Sequence, residues 1–289
     1  MNPLASLLCA AMMALSIGTT AQAADDAVVS KAREIETRLK ARVGLAIYDT
    51  GSDKTWLYKA DERFPMASTF KVLACGTLLH KADQGQLKLT DTATITKADM
   101  IPHAPVTEKL IGQKVGLGDL CAATMRTSDN VAANKVLDGI GGPKSVTSFM
   151  RSIGDEVTRL DRWEPDLNEG KPGDKKDTTS PAAIAKAVRE LVLGNTLSAA
   201  SRQQLTTWLV ENEVGGPLLR AGLPGIWRIG DRTGAGGHGT RAVVAVIWPT
   251  DHAPLVAAVT ITQTDATMDA RNAAIAELGK ALASEIAAK

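Results

Sequence analysis

Strand-forming runs stand at both ends of this chain with a helical middle between them, and few folds accommodate that order. "VGLAIYDT" (43–50) and "TWLYKA" (55–60) flank a Gly-Ser-Asp turn and read as a β-hairpin. After residue 226 come "IWRIGDRTG", "RAVVAVIWP" and "PLVAAVTITQT", apolar runs separated by turn residues. Helical periodicity fills the space between, over 68–83, 117–127, 131–139, 143–153, 181–193 and 199–211. "DATMDARNAAIAELGKALASEIAAK" reads as a closing helix. The expectation is a two-domain α/β (α+β) fold. An antiparallel sheet from both chain ends (24–62 and 212–289), flanked by helices, would carry an inserted all-α domain (63–211). There is no internal repeat and no low-complexity tract.

The first 23 residues, "MNPLASLLCAAMMALSIGTTAQA", carry no charged side chain and end in Ala21-Gln22-Ala23. They read as a secretory signal peptide with a small-x-small cleavage site, so the mature protein is expected outside the cytoplasm and free of the membrane. Lys plus Arg (33) almost cancels Asp plus Glu (32), which argues against a nucleic-acid or anionic-membrane partner. Without Cys9 two cysteines remain, Cys75 and Cys121. In an oxidising compartment they form either a disulfide or two buried thiols. The four His are scattered, so no metal site and no cofactor are expected.

The chemistry concentrates at "STFK". Ser68 and Lys71 lie three residues apart, on one face of a helix start where N–H groups stabilise developing negative charge. Lys71 is either a cation of that turn or a base for the Ser68 hydroxyl. "TSDN" sets Ser128, Asp129 and Asn130 in a break between helices, able to aim side chains into a cleft. "DRTGAGG" sets Arg232, Thr233 and Gly234 at a strand end, where Gly234 and Gly236 would let a ligand lie against the backbone. Residues 161–180 are rich in Pro, Gly and charge without periodicity, and a loop that long is usually functional. Within it "WEPDLN" offers Glu164 and Asn168, a carboxylate and an amide able to hold one water.

Ser-x-x-Lys, Ser-Asp-Asn and Lys-Thr-Gly are the signature of class A β-lactamases and penicillin-binding proteins. With "STFK", "SDN", "EPDLN" and "RTG", the chain resembles a class A serine β-lactamase from about residue 25 onward. "RTG" for the usual "KTG", together with "RLDRWEPDLNEG", is similar to the carbenicillin-hydrolysing branch. The resemblance implies that Ser68 attacks the lactam carbonyl of a small-molecule β-lactam, with the backbone N–H groups of Ser68 and Ala235 as oxyanion hole. Lys71, or Glu164 through a water, would take the proton. Ser128 would protonate the departing nitrogen, and Asn130 would bind the side-chain amide. Arg232, Thr233 and Arg241 would meet the substrate carboxylate, and Glu164 with Asn168 would drive deacylation.

It further implies a Cys75–Cys121 disulfide, an Arg162–Asp177 ion pair across the loop, a monomer, and a periplasmic location in a Gram-negative bacterium. Each Cys is seven residues from its Ser, about two helical turns, consistent with the bridge. The alternative, a penicillin-binding transpeptidase or a β-lactam sensor domain, shares the Ser and Lys machinery but lacks the deacylating carboxylate. Two departures stand out. His103 occupies the position of a cleft-lining Tyr, and Ala67 before the nucleophile excludes the extra disulfide of one carbapenemase group.

Overall fold

Alternate side chains of the central strands serve two separate cores. The protein is described by a computed structural model covering residues 26–287; the expected signal peptide and Cys9 lie outside the described residues. The hairpin is β1 (Arg42–Asp49) and β2 (Thr55–Tyr58). The C-terminal strands are β7 (Arg228–Gly236), β8 (Thr240–Trp248) and β9 (Leu255–Thr262). They join in one antiparallel sheet of order β2-β1-β9-β8-β7, so β1 inserts beside the last strand of the chain.

On one face Val43, Leu45 and Ile47 of β1 and Val243, Ala245 and Ile247 of β8 pack against helices α1 (Ala27–Arg38) and α8 (Met268–Ala287). On the other face Val244, Val246, Val256 and Ala258 join the helical core. Burial on both faces explains why β8 reads "RAVVAVIW", a continuous apolar run rather than an alternating one.

The helical part is built around α2 (Phe70–Asp83), in which every residue from Phe70 to Leu79 is buried. A helix apolar all round must be surrounded. α3 (Leu117–Thr127), α4 (Asn130–Ile140), α5 (Pro143–Ser152), α6 (Pro181–Leu193) and α7 (Ala199–Val210) enclose it. Local signals set the helix starts. Asp129, Ser180 and Ser198 cap α4, α6 and α7 with side-chain acceptors, and Pro143 and Pro181 open α5 and α6. Cys75 of α2 and Cys121 of α3 are joined as a disulfide with Cα atoms 5.8 Å apart.

Some elements are not announced by periodicity. α1 begins at Ala27, and only the spacing of Val28, Ala32 and Ile35 marks its buried side. β3 (Phe64–Pro65) pairs with β6 (Thr178–Thr179), and β4 (Thr92–Thr94) pairs with β5 (Lys114–Gly116); such pieces are too short to carry a pattern. β2 stops at Tyr58, before the expected end of its run, because Lys59 turns left-handed at φ +47°. Ile226, expected in a strand, is 78% exposed ahead of β7. Among the described residues no helix is long and apolar enough to cross a membrane.

Candidate active site

Ser68 sits in a 3-10 turn, Ala67–Thr69, that runs straight into α2. Ala67 adopts φ +43°, a conformation that L residues rarely hold and that surrounding contacts must enforce. Thr69 Oγ1 closes the turn on Met66 C=O at 2.7 Å. β7 presses on the turn from the sheet side. A Cβ at Gly234 would lie 2.9 Å from Met66 O and 3.0 Å from Ser68 N, and one at Gly236 would lie 2.8 Å from Asn168 O. Both glycines are therefore required by neighbouring protein backbone, and Gly234 also lines the cleft.

Lys71, one turn into α2, is fully buried, and its ammonium has acceptors on every side. It donates to Ser128 C=O at 2.8 Å, Ser128 Oγ at 3.1 Å and Asn130 Oδ1 at 2.6 Å, and lies 3.1 Å from Glu164 Oε1. The same Glu164 oxygen faces Ser68 Oγ at 3.4 Å. Burial pushes the Lys71 pKa down to about 8, although the Glu164 carboxylate opposes the shift and the Arg232 charge adds to it.

Glu164 is delivered by the loop between α5 and α6. β3–β6 pairing and the Arg162–Asp177 ion pair close that loop at its base. The Asp177 carboxylate is 1% exposed and also accepts the Asp161 and Arg162 backbone N–H groups at 2.8 and 2.9 Å, so the clamp is a buried network and not a surface ion pair. Asn168 Nδ2 donates to Glu164 Oε2, and its Oδ1 is buried without a protein partner.

The SDN segment is aimed by its backbone. Ser128 ends α3 in the left-handed conformation, φ +66°. Asp129, fully buried, accepts from Ala132 N, Val106 N, Thr107 N and Thr107 Oγ1, which ties the 103–107 loop to α4. These groups surround a cleft of about 300 Å³ lined by Ser68, His103, Ser128, Asn130, Asn168, Val214, Thr233, Gly234, Ala235 and Arg241.

Arg232 stands directly behind Ser128. It is fully buried, does not line the cleft, and donates from Nη2 to Ser128 Oγ, while Nε and Nη1 have no protein acceptor. Burial lowers its pKa to about 10. Arg241 does reach the cleft, held by Asn272 Oδ1 at 2.8 Å and Gly234 C=O at 3.3 Å.

The model of the "Beta-lactamase enzyme family" matches residues 27–286. The chain belongs to the β-lactamase enzyme family. β-Lactamases PSE-4 and CARB-3 of Pseudomonas aeruginosa are each 48% identical to it over 250 residues, covering 86% of this chain and 87% of theirs. A solved ancestral class A β-lactamase superposes with a TM-score of 0.88 at 50% identity, over 89% of this chain and 99% of that one.

Two supports of this class A β-lactamase were not read from its sequence. Asn134 of α4 brackets the Glu164 backbone, accepting from Glu164 N at 3.0 Å and donating to Glu164 O at 2.9 Å. Its position one turn after Asn130 in "SDNVAAN" is the only local signal. Asp231, beside Arg232, is fully buried and holds Asn212 Nδ2 at 2.8 Å and Arg220 Nη2 at 2.7 Å. Its charge offsets part of the burial cost of Arg232.

Proposed function

We propose that this β-lactamase hydrolyses penicillins, carbenicillin included, through an acyl-enzyme on Ser68. One observation carries the reading: Glu164 Oε1 stands 3.4 Å from Ser68 Oγ and 3.1 Å from Lys71 Nζ, with Asn168 on the other carboxylate oxygen. Ser68 passes its proton to Glu164 and bonds to the lactam carbonyl carbon, its oxyanion meeting the Ser68 and Ala235 N–H groups. The C–N bond then breaks. Ser128 protonates the ring nitrogen and is recharged from Lys71, which then takes from Glu164, 3.1 Å away, the proton that Ser68 had given up.

Thr233 and Arg241 receive the ring carboxylate and Asn130 the side-chain amide. Arg232 acts from behind through its charge and its bond to Ser128. Glu164, again a carboxylate, takes a proton from water oriented with Asn168. The water oxygen bonds to the ester carbonyl carbon, the bond to Ser68 Oγ breaks, and Glu164 returns the proton to Ser68. A transpeptidase or sensor would lack that last step. The Glu164–Asn168 pair beside Ser68, with its carboxylate buried, favours the hydrolase. The leader and the disulfide support export to an oxidising compartment such as the periplasm. A site built from one chain is consistent with a monomer.

The test is lactam absorbance loss with benzylpenicillin, carbenicillin and a cephalosporin. Wild type should turn over both penicillins, and Ser68→Ala neither. Stoichiometric acylation of wild type without turnover would instead indicate a penicillin-binding protein.

The base assignment predicts a pH profile. At neutral pH Lys71, with a pKa near 8, is mostly ammonium and holds Ser128, Asn130 and Glu164 together. As pH rises through about 8 it loses that proton, so kcat/KM for benzylpenicillin should fall on this limb. A rise to a plateau through the same range would make the free amine of Lys71 the acylation base.

A further inference from the structure

Only two side chains lining the cleft can carry a charge, Arg241 and His103. Arg241 belongs to the β7–β8 side, where Asn272 and the Gly234 carbonyl fix its fork. His103 belongs to the wall shared with Asn130, whose backbone N–H donates to His103 C=O at 2.9 Å. The two cations thus serve different ends of a bound penicillin, given the reading in which Arg241 takes the ring carboxylate and Asn130 the side-chain amide.

His103 is exposed yet held in place. Its backbone is left-handed at φ +65°, and Nε2 lies 2.9 Å from Thr127 C=O. A carbonyl can only accept, so Nε2 carries the proton and donates. Among the described residues Nδ1 takes no protein partner, so a second proton would arrive there and create an N–H donor on an exposed ring. Nearby charges do not compete for it. The Asp129 carboxylate is occupied by Ala132, Val106 and Thr107, and Lys71, Glu164 and Arg232 are buried behind the lining. Arg126 pairs with Glu213, and Lys135 with Asp99.

We propose that His103, in its imidazolium form, recognises the side-chain anion of penicillins that carry a second carboxylate. Neutral imidazole leaves such substrates without a partner at this end of the cleft. The imidazolium supplies a charge and a donor, and histidine is the side chain that normally switches between these forms at about pH 5 to 8. Selectivity between charged and uncharged side chains then depends on pH. This inference rests on the penicillinase reading above.

Carbenicillin and benzylpenicillin differ by one side-chain carboxylate, so they isolate the effect. Titration of Lys71 acts on both substrates and cancels in the ratio of their kcat/KM values. For wild type, the carbenicillin-to-benzylpenicillin ratio should rise roughly threefold to fivefold between about pH 8 and about pH 5.5, the worth of one solvent-facing charge pair. In His103→Asn, which tolerates the left-handed backbone, the ratio should stay flat. A flat ratio in wild type, or an equal rise in His103→Asn, overturns the proposal while leaving the penicillinase intact. Absence of benzylpenicillin turnover by wild type would overturn both.

Discussion

Glu164→Ala should convert the enzyme into a penicillin trap, with steady-state turnover down by about 10³-fold, the usual weight of a general base. Acylation should survive the change. The Glu164 carboxylate raises the Lys71 pKa against burial, so removing it makes Lys71 easier to deprotonate, and a neutral amine beside Ser128 can then take over proton removal. Deacylation has no such substitute, because Asn168 would then have no carboxylate with which to hold water. Intact-mass spectrometry after mixing with benzylpenicillin should show one adduct per chain, on Ser68, persisting far beyond the wild-type turnover time. Turnover at the wild-type rate would remove Glu164 from the mechanism. A Ser68→Ala/Glu164→Ala double variant should show no adduct, which separates acylation from adventitious modification.

The largest expected effect on stability comes from breaking Cys75–Cys121. The bridge spans a sequence separation of 46 residues, for which loop-closure entropy corresponds to about 4 kcal/mol. Residual structure in the reduced unfolded chain lowers that figure. Both cysteines are fully buried between α2 and α3, so Cys75→Ser/Cys121→Ser adds the cost of two buried hydroxyls. The melting temperature should fall by about 10 °C for a protein of this size. Activity of the remaining folded enzyme should change little, since the bridge lies along the helices that carry Lys71 and Ser128, away from the cleft lining. Thiol labelling of the denatured, unreduced mature protein should find no free cysteine; two reactive thiols would contradict the bridge.

Legibility varied with the range of the interaction. The apolar runs of β1, β8 and β9 and the helical periods of α2 to α8 reflect contacts repeated every two or every three to four residues, so short windows display them. The sequence by itself determined the order of elements, the sheet shared by the chain ends and the four motifs. It also placed Ser68 and Lys71 three residues apart, on one face of one helical turn.

What only the tertiary structure decided is how side chains distant in sequence point once packed. Ser68 and Glu164 are 96 residues apart, and their 3.4 Å approach depends on the Asp177 clamp and on Asn134. Arg232 shows this as well: its motif marks a cation near the site, and only the fold shows that it is fully buried with Nη2 on Ser128 Oγ. Residue type and spacing specify which groups are available. The direction each one faces is set by sterics between elements that meet only in the folded chain, where burial also sets the charge each group can hold.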